Sequence, residues 1–416
     1  MQNKINCKFR HILTFLSCIA LFQPLSADSG YGLWLKHAKL ENVQQCMQLR
    51  SSVTGVVVNG SSETAEIIAQ ELKTGLSGLT GKDIPLVDSV TDSGLWVGTL
   101  QQLSRISDNI LIPSSLTADG FMIRNGVLNG HPVLIITGHT EISLLYGSFH
   151  LLRLLQNQQP LDDIYVVSNP KIKFRLLNHW DNPDRSVERG YAGKSLWKWD
   201  ELPDQVDPRY TDYARANASL GINGAVINNV NADPVFLTAG YIEKLARLAE
   251  VFRPYGIQIY LSVNFASPLA DDFTLEGNRR GGIGDLETAD PVNPEVIRWW
   301  KEKVDQIYQQ IPDFGGFLVK ASSEGMPGPQ DYERSHAAGA NMLAHALAPH
   351  GGIVMWRAFV YDAETDPDRA KRAWKEFVPL DGAFDANVFV QAKTVPSIFN
   401  RRNRFNPYSA ICCRPH

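Results

Sequence analysis

Between residues 166 and 393 the chain repeats one pattern, an apolar run, a polar loop, an amphipathic stretch and then another apolar run. The apolar runs are "FRLLNHW", "INGAVINNV", "IQIYLSVNF", "GGFLVKA", "GGIVMWRAFV" and "ANVFVQAK". Stretches with helical spacing, such as "AGYIEKLARLAEVFRPYG" and "PEVIRWWKEKVDQIYQQI", stand between them. Strand, helix and strand recurring every 30 to 50 residues or so predict a parallel sheet, because parallel strands need a crossover. The centres of the runs are nearly continuous in apolar residues, as strands covered on both faces are. An open doubly wound sheet and a (β/α)8 barrel both fit this rhythm. The polar residues separate them. Nearly every run ends in a functional side chain: Asp181, Asn228 and Asn229, Asn264, Lys320, Arg357, Lys393. A barrel brings all strand C-termini to one mouth, whereas an open sheet collects its ligands at one switch point. The reading is therefore an α/β fold with an incomplete (β/α)8 barrel, six strands being visible where a closed barrel has eight.

Residues 28–165 read as a separate α/β accessory domain. "VTGVVVN", "GLWVGTL" and "PVLIITG" predict strands, and "AEIIAQELKTGLSGL" and "EISLLYGSFHLLRLLQ" predict amphipathic helices. Residues 1–27 have the order of a secretory signal peptide: basic residues, the apolar run "ILTFLSCIALF", and a small residue at Ala27. Export to the periplasm or the medium is the expectation. No later segment predicts a membrane span. Of five cysteines, only Cys46 lies outside the leader and the last few residues, so disulfides do not frame the fold. A net charge of −4, with no basic block before the last few residues, makes nucleic acid a poor fit as partner. No cofactor is expected either. "GGIGDL" at 281–286 does not follow directly on a strand, as a phosphate loop does, and His336, His345 and His350 lack metal-ligand spacing. Neither HExxH nor GxSxG occurs.

Two stretches attract attention as sites. The loop 178–203, "NHWDNPDRSVERGYAGKSLWKWDELP", is long, charged and aromatic. Its Trp180, Trp197 and Trp199 either offer faces to sugar rings or pin the loop as buried anchors; composition leaves both open. Glu324 follows Lys320 by four residues in a Gly- and Pro-rich loop after a strand. An arbitrary glutamate of this kind is most often a solvated ion-pair partner. Arg357 and Lys393 at neighbouring strand ends change the weighing, since three converging cations make a receptor for an anion.

"LNHWDNPDRSVERGYAGKSLWKWDELP", "GFLVKASSEGMPGPQDY" and "HGGIVMWRAFVYD" resemble the α-glucuronidases of glycoside hydrolase family 67, and the resemblance runs from residue 31 to 393. It implies an N-terminal α/β domain, a central barrel and a helical C-terminal domain. It also implies removal of α-1,2-linked (4-O-methyl)glucuronic acid from xylo-oligosaccharides with inversion, in xylan degradation, and it allows for homodimers among full-length relatives. Carried over, Glu324 matches the general acid, while Lys320, Arg357 and Lys393 match basic residues around the uronate carboxylate. Trp180 and Asp181 fall in the glucuronate-side loop, and Asn228, Asn229 and Trp197 join them as candidate substrate contacts. An inverting hydrolase needs an acid on the leaving oxygen and a base for water on the opposite face. Cations beside Glu324 would lower its pKa, so desolvation or the substrate carboxylate must keep it protonated.

The resemblance ends at Lys393, just before the family's water-activating carboxylates. The chain reads "KTVPSIFNRRNRFNPYSAICCRPH" where the family has a segment like "KNGPIDFQP". "TVPSIFN" can be written ACG GTC CCA TCG ATT TTC AAC; started one base earlier, it reads AAC GGT CCC ATC GAT TTT CAA, or Asn-Gly-Pro-Ile-Asp-Phe-Gln. Residues 394–416 are therefore expected to be an out-of-frame tail. The chain as written is then expected to be inactive and poorly folded, and a carbohydrate-binding fragment without turnover is the alternative reading.

Overall fold

In the computed structural model, residues 29–107, 110–270, 281–322, 325–360 and 366–392 are described. The first unit comprises α1 (Val43–Ser52), β1 (Val56–Val58), α2 (Glu63–Thr80), β2 (Gly94–Thr99), α3 (Leu100–Ser104), β3 (Phe121–Leu128), β4 (His131–Gly138), α4 (Glu141–Gln156) and β5 (Tyr165–Ser168). Its strands lie in the order β1-β2-β4-β3-β5. The first three are parallel, and β3 is antiparallel to both of its neighbours. A two-residue turn joins β3 to β4, with Asn129 and Gly130 at φ 51° and 83°. Paired positive φ values match the twist of the hairpin strands. Ser62 and Thr140 cap α2 and α4 by accepting from backbone amides three residues on, and α2 stops at Gly81 in the left-handed region. Ile68, Leu72, Leu76 and Leu79 of α2, at helical spacing, share a core with Val56, Leu95, Val97, Leu134 and Ile136. The alternate strand residues Val57, Trp96, Val133 and Ile135 pack on the opposite face with Leu103 and Leu128.

The second unit is a six-stranded sheet in the order β11-β10-β9-β8-β7-β6, parallel throughout. Its strands are β6 (Leu176–Asn178), β7 (Gly224–Val226), β8 (Gln258–Val263), β9 (Gly316–Val319), β10 (Ile353–Arg357) and β11 (Val388–Gln391). Each lies within one of the six apolar runs. Between them run α5 (Pro208–Ala218), α6 (Ala239–Phe252), α7 (Pro294–Gln310), α8 (His336–Leu347) and α9 (Arg369–Phe377). Ile259, Leu261, Phe317, Val319, Val354 and Trp356 point outward into the core that the helices share. Val226, Tyr260, Leu318, Ile353 and Met355 point inward and form a separate cluster with Phe174, Leu176 and Trp180. Two distinct clusters on opposite faces are what strands enclosed on both sides require.

The sheet curls strongly. Phe174, just ahead of the first strand, meets Phe389 of the last edge to face, with ring centroids 5.0 Å apart. Strand order, parallel sense and curl are those of an incomplete (β/α)8 barrel. Among the described residues, β6 and β11 each have one strand neighbour. The two units are bridged by Arg215 of α5, whose Nη2 donates to Oε2 of the buried Glu71 of α2 at 2.8 Å. No helix among the described residues is long and apolar enough to cross a membrane.

Candidate active site

Side chains alternate along a strand, so residues two apart share a face. Continuing upward from the inward cluster, the same parity brings Trp180, Asn228, Ser262, Lys320, Arg357 and Gln391 toward the C-terminal ends. Val319 pairs with Trp356, so the next rung sets Lys320 beside Arg357, and Arg357 itself pairs with Gln391. Both cations are half-buried. Lys320 Nζ donates to Asn231 Oδ1 at 2.8 Å and lies 5.0 Å from the ring centroid of Phe359. A neutral amide and an aromatic face are thus among the contacts that place the ammonium. Two adjacent, partly desolvated cations suit an anion that enters the mouth.

Trp180 is half-buried and packs against the inward cluster. Trp197 is a different case. It is fully buried behind β6 and β7, ringed by His179, Tyr210, Tyr213 and Phe252 at 5.2–5.9 Å, and its Nε1 donates to the Ile227 carbonyl at 3.2 Å. Trp199 is equally enclosed, against Phe236 and Tyr241. Of the two readings that composition left open, the buried anchor describes Trp197 and Trp199. Trp197 therefore has no face to offer a substrate, because its indole fills the space between barrel wall and helices.

Asn228 and Asn229 are buried and fully engaged with protein. Asn228 Oδ1 accepts from the Ser262 amide at 2.7 Å, and its Nδ2 donates to the Ser262 carbonyl at 2.9 Å. The side chain thereby adds a rung between β7 and β8 where β7 has ended. Asn229 Nδ2 donates to Asn182 Oδ1 at 3.0 Å, and its Oδ1 accepts from the Asn231 amide at 3.0 Å, tying the long loop to the residue that holds Lys320. Asp181 is buried too, with Oδ2 3.5 Å from His179 Nδ1. His179 Nε2 lies 2.8 Å from the Tyr213 hydroxyl. Burial, and then the Asp181 charge, push that phenol well above its ordinary range. Asp181 thus sits with the loop-anchoring aromatics, whereas Lys320 and Arg357 face the mouth.

Glu324 and Lys393 lie outside the described residues. Asn231, Phe359 and Gln391 were missed by sequence reasoning; the only signal for them was their nearness to strand ends. Glu188 was missed as well, a buried carboxylate in the same loop whose Oε1 meets Arg189 Nη1 at 3.0 Å. Among the described residues, no group of three or more His, Cys, Asp or Glu could hold a metal ion.

Residues 33–151 match the N-terminal domain and residues 154–412 the middle domain of glycosyl hydrolase family 67. The chain belongs to this family. It is 39% identical over 406 residues to a probable alpha-glucuronidase A of Neosartorya fischeri, an alignment that takes in 96% of this chain and 46% of that protein. It is 38% identical over 412 residues to an alpha-glucuronidase of Hypocrea jecorina, covering 95% of this chain and 47% of the other. The chain therefore spans about half the length of the curated relatives it matches. Among solved structures it is similar to the Streptomyces plicatus N-acetyl-beta-hexosaminidase, with a TM-score of 0.50 at 11% identity over 83% of this chain and 66% of that one. At that identity the likeness concerns the fold alone. The middle-domain match runs past Lys393, across the boundary read from the sequence.

Proposed function

We propose that this chain carries the uronate-binding half of an exported α-glucuronidase site. The activity is release of α-1,2-linked (4-O-methyl)glucuronic acid from xylo-oligosaccharides with inversion of configuration. Lys320, Arg357 and Lys393 receive the substrate carboxylate, Trp180 lies under the sugar ring, and Glu324 protonates the leaving oxygen. The observation that carries the reading is the adjacent pair Lys320 and Arg357, inward at the mouth of a family 67 barrel. A charge-assisted bond to a carboxylate contributes about 1.5–3 kcal/mol, or about one to two decades in affinity. The same charges oppose protonation of Glu324, so the bound uronate must offset them before the acid can act near neutral pH.

A second reading is a sugar-binding chain without turnover. Inversion needs a carboxylate base about 6.5–9.5 Å from the acid; in the long loop Asp181 and Glu188 are buried, and Asp200 and Glu201 are paired with Arg185 and Lys198. The test is to incubate the full chain with aldouronic acids and follow uronate release and its anomer by NMR. Titrations of D-glucuronate into wild type, Arg357→Ala and Glu324→Gln accompany it. Turnover with the inverted anomer, abolished by Glu324→Gln, supports hydrolysis. Binding that Arg357→Ala weakens about tenfold or more, without turnover, supports the second reading. Neither turnover nor glucuronate binding overturns both.

A further inference from the structure

Behind the wall that carries Lys320 and Arg357 lies a hydrogen-bonded chain that the proposed reaction does not use. Trp356, one residue before Arg357, points outward and is fully buried. Its Nε1 donates to His336 Nδ1 at 3.2 Å. An indole N–H can only donate, so Nδ1 holds a lone pair and the ring proton is on Nε2. His336 is itself buried, and Nε2 lies 2.9 Å from Glu376 Oε1. The imidazole is also stacked on Phe377, with centroids 4.5 Å apart and planes at 20°. The same Glu376 oxygen accepts from Gln330 Nε2 at 3.0 Å. Gln330 Oε1 in turn accepts from Ser322 Oγ at 3.3 Å. Ser322 is two residues beyond Lys320 and has φ +49°, a conformation a serine holds only when its surroundings fix it.

One carboxylate on α9 thus gathers ties from the ends of two neighbouring strands. We propose that Glu376 is a positioning residue that, acting through His336 and Gln330, fixes the spacing of Lys320 and Arg357 for a carboxylate ligand. The proposal rests on the uronate reading of those two cations. Cations that grip one planar carboxylate must be held to within about 0.5 Å, and neither side chain sets its own strand end. Without Glu376 the buried His336 N–H has no acceptor, the ring is free to turn, and the Trp356 N–H loses its fixed partner. Ser322 loses its anchor through Gln330 in the same step.

The test uses the full chain with D-glucuronate as the probe and neutral D-xylose as the control. Wild type, Glu376→Ala, Glu376→Gln and Gln330→Ala are titrated, and amide exchange is followed by mass spectrometry at residues 320–322 and 356–358. Glu376→Ala is expected to weaken glucuronate about tenfold, the low end for outer-shell partners at metal sites, with xylose unchanged. Exchange should quicken at both strand ends. Glu376→Gln should recover part of the loss, because its amide oxygen can still accept. Gln330 is exposed, so Gln330→Ala carries the test if Glu376→Ala fails to fold, loosening residues 320–322 alone. Glucuronate binding that survives Glu376→Gln and Gln330→Ala at wild-type strength overturns this proposal alone, as does unchanged exchange at either strand end in Glu376→Ala. A wild-type chain that does not bind glucuronate overturns the uronate reading and this proposal with it.

Discussion

Asn228→Ala separates a structural asparagine from a sugar ligand. In parallel sheets each strand bonds its neighbours through backbone rungs, but β7 ends at Val226 while β8 continues to Val263. Beyond that end, the Asn228 carboxamide supplies both the acceptor and the donor that the Ser262 backbone needs, at 2.7 and 2.9 Å. Asn228 has no measurable exposure, and Ser262 is 1% exposed, so neither group has water to fall back on. The alanine variant leaves one amide and one carbonyl without partners. Each costs about 1–3 kcal/mol, so the change should destabilise the barrel by about 2–6 kcal/mol. For a unit of about 150–250 residues each kcal/mol moves the melting midpoint by about 2–4 °C. The expected fall is therefore at least about 4 °C, followed by near-UV circular dichroism of the buried tryptophans. Well below the transition, glucuronate affinity should stay within about twofold of wild type. An unchanged midpoint together with lost glucuronate affinity would refute the reasoning and return Asn228 to the ligand side of the mouth.

Gly316→Ala should be far more damaging than Gly351→Ala. Gly316 opens β9 at φ +133°, and an added Cβ would sit 2.0 Å from the Ile353 carbonyl oxygen, whereas Gly351, at φ +76°, has open space around it. Costs of about 3 kcal/mol or more against about 1 kcal/mol are expected, and equal midpoints for the two variants would contradict the packing of β9 on β10. Stability should also fall as pH drops from about 6.5 to 4 because of His37. Burial, helped by the Arg215 charge, lowers its pKa from 6.5 to about 4. Its Nδ1 takes a hydrogen bond from Gln156 at 2.9 Å, consistent with a neutral ring. The unfolded chain binds the proton first, so a contribution complete above pH 6.5 is lost by about pH 4, on the order of 2–3 kcal/mol. Melting midpoints across that range should flatten in His37→Gln, and an unaltered slope would exclude His37 as the cause.

The barrel unit was legible because its central strands are covered on both faces and therefore remain largely apolar, as in "IQIYLSV" and "GIVMW". The first unit was less so. β3 carries Arg124, Asn125 and Gly126 in its middle, and β5 is four residues long with Tyr165 exposed. An antiparallel strand with one open face needs few apolar residues, so neither rose above the loop composition around it. A signal was nevertheless present. "NG" at 129–130 sits between two runs with strand character, which is the local chemistry of a tight hairpin, and reading that turn backward would have found β3.

The site was legible only to the level of which strand ends carry polar residues, because composition says nothing about the direction in which they point. Pairing register supplies that. Once Met355 is known to face inward, Arg357 must as well, and Lys320 follows from the rung between Val319 and Trp356. Trp356, between Met355 and Arg357, must face the helices, and this is how it comes to meet His336. Trp180 still follows the parity of Leu176 and Asn178 onto the inward cluster, but farther into the long loop parity no longer applies, and Trp197 and Trp199 drop behind the wall into the helical core. Aromatic content alone could not separate them, since an indole that must fill space between wall and helix has the same composition as one that must meet a pyranose. The same ambiguity put Asn228 among the ligands. A polar side chain just beyond a short strand can serve a substrate or replace the missing rung, and the length difference between β7 and β8 decides for the rung. Strand-end polar residues are therefore best assigned only after asking which neighbouring backbone groups lack a partner.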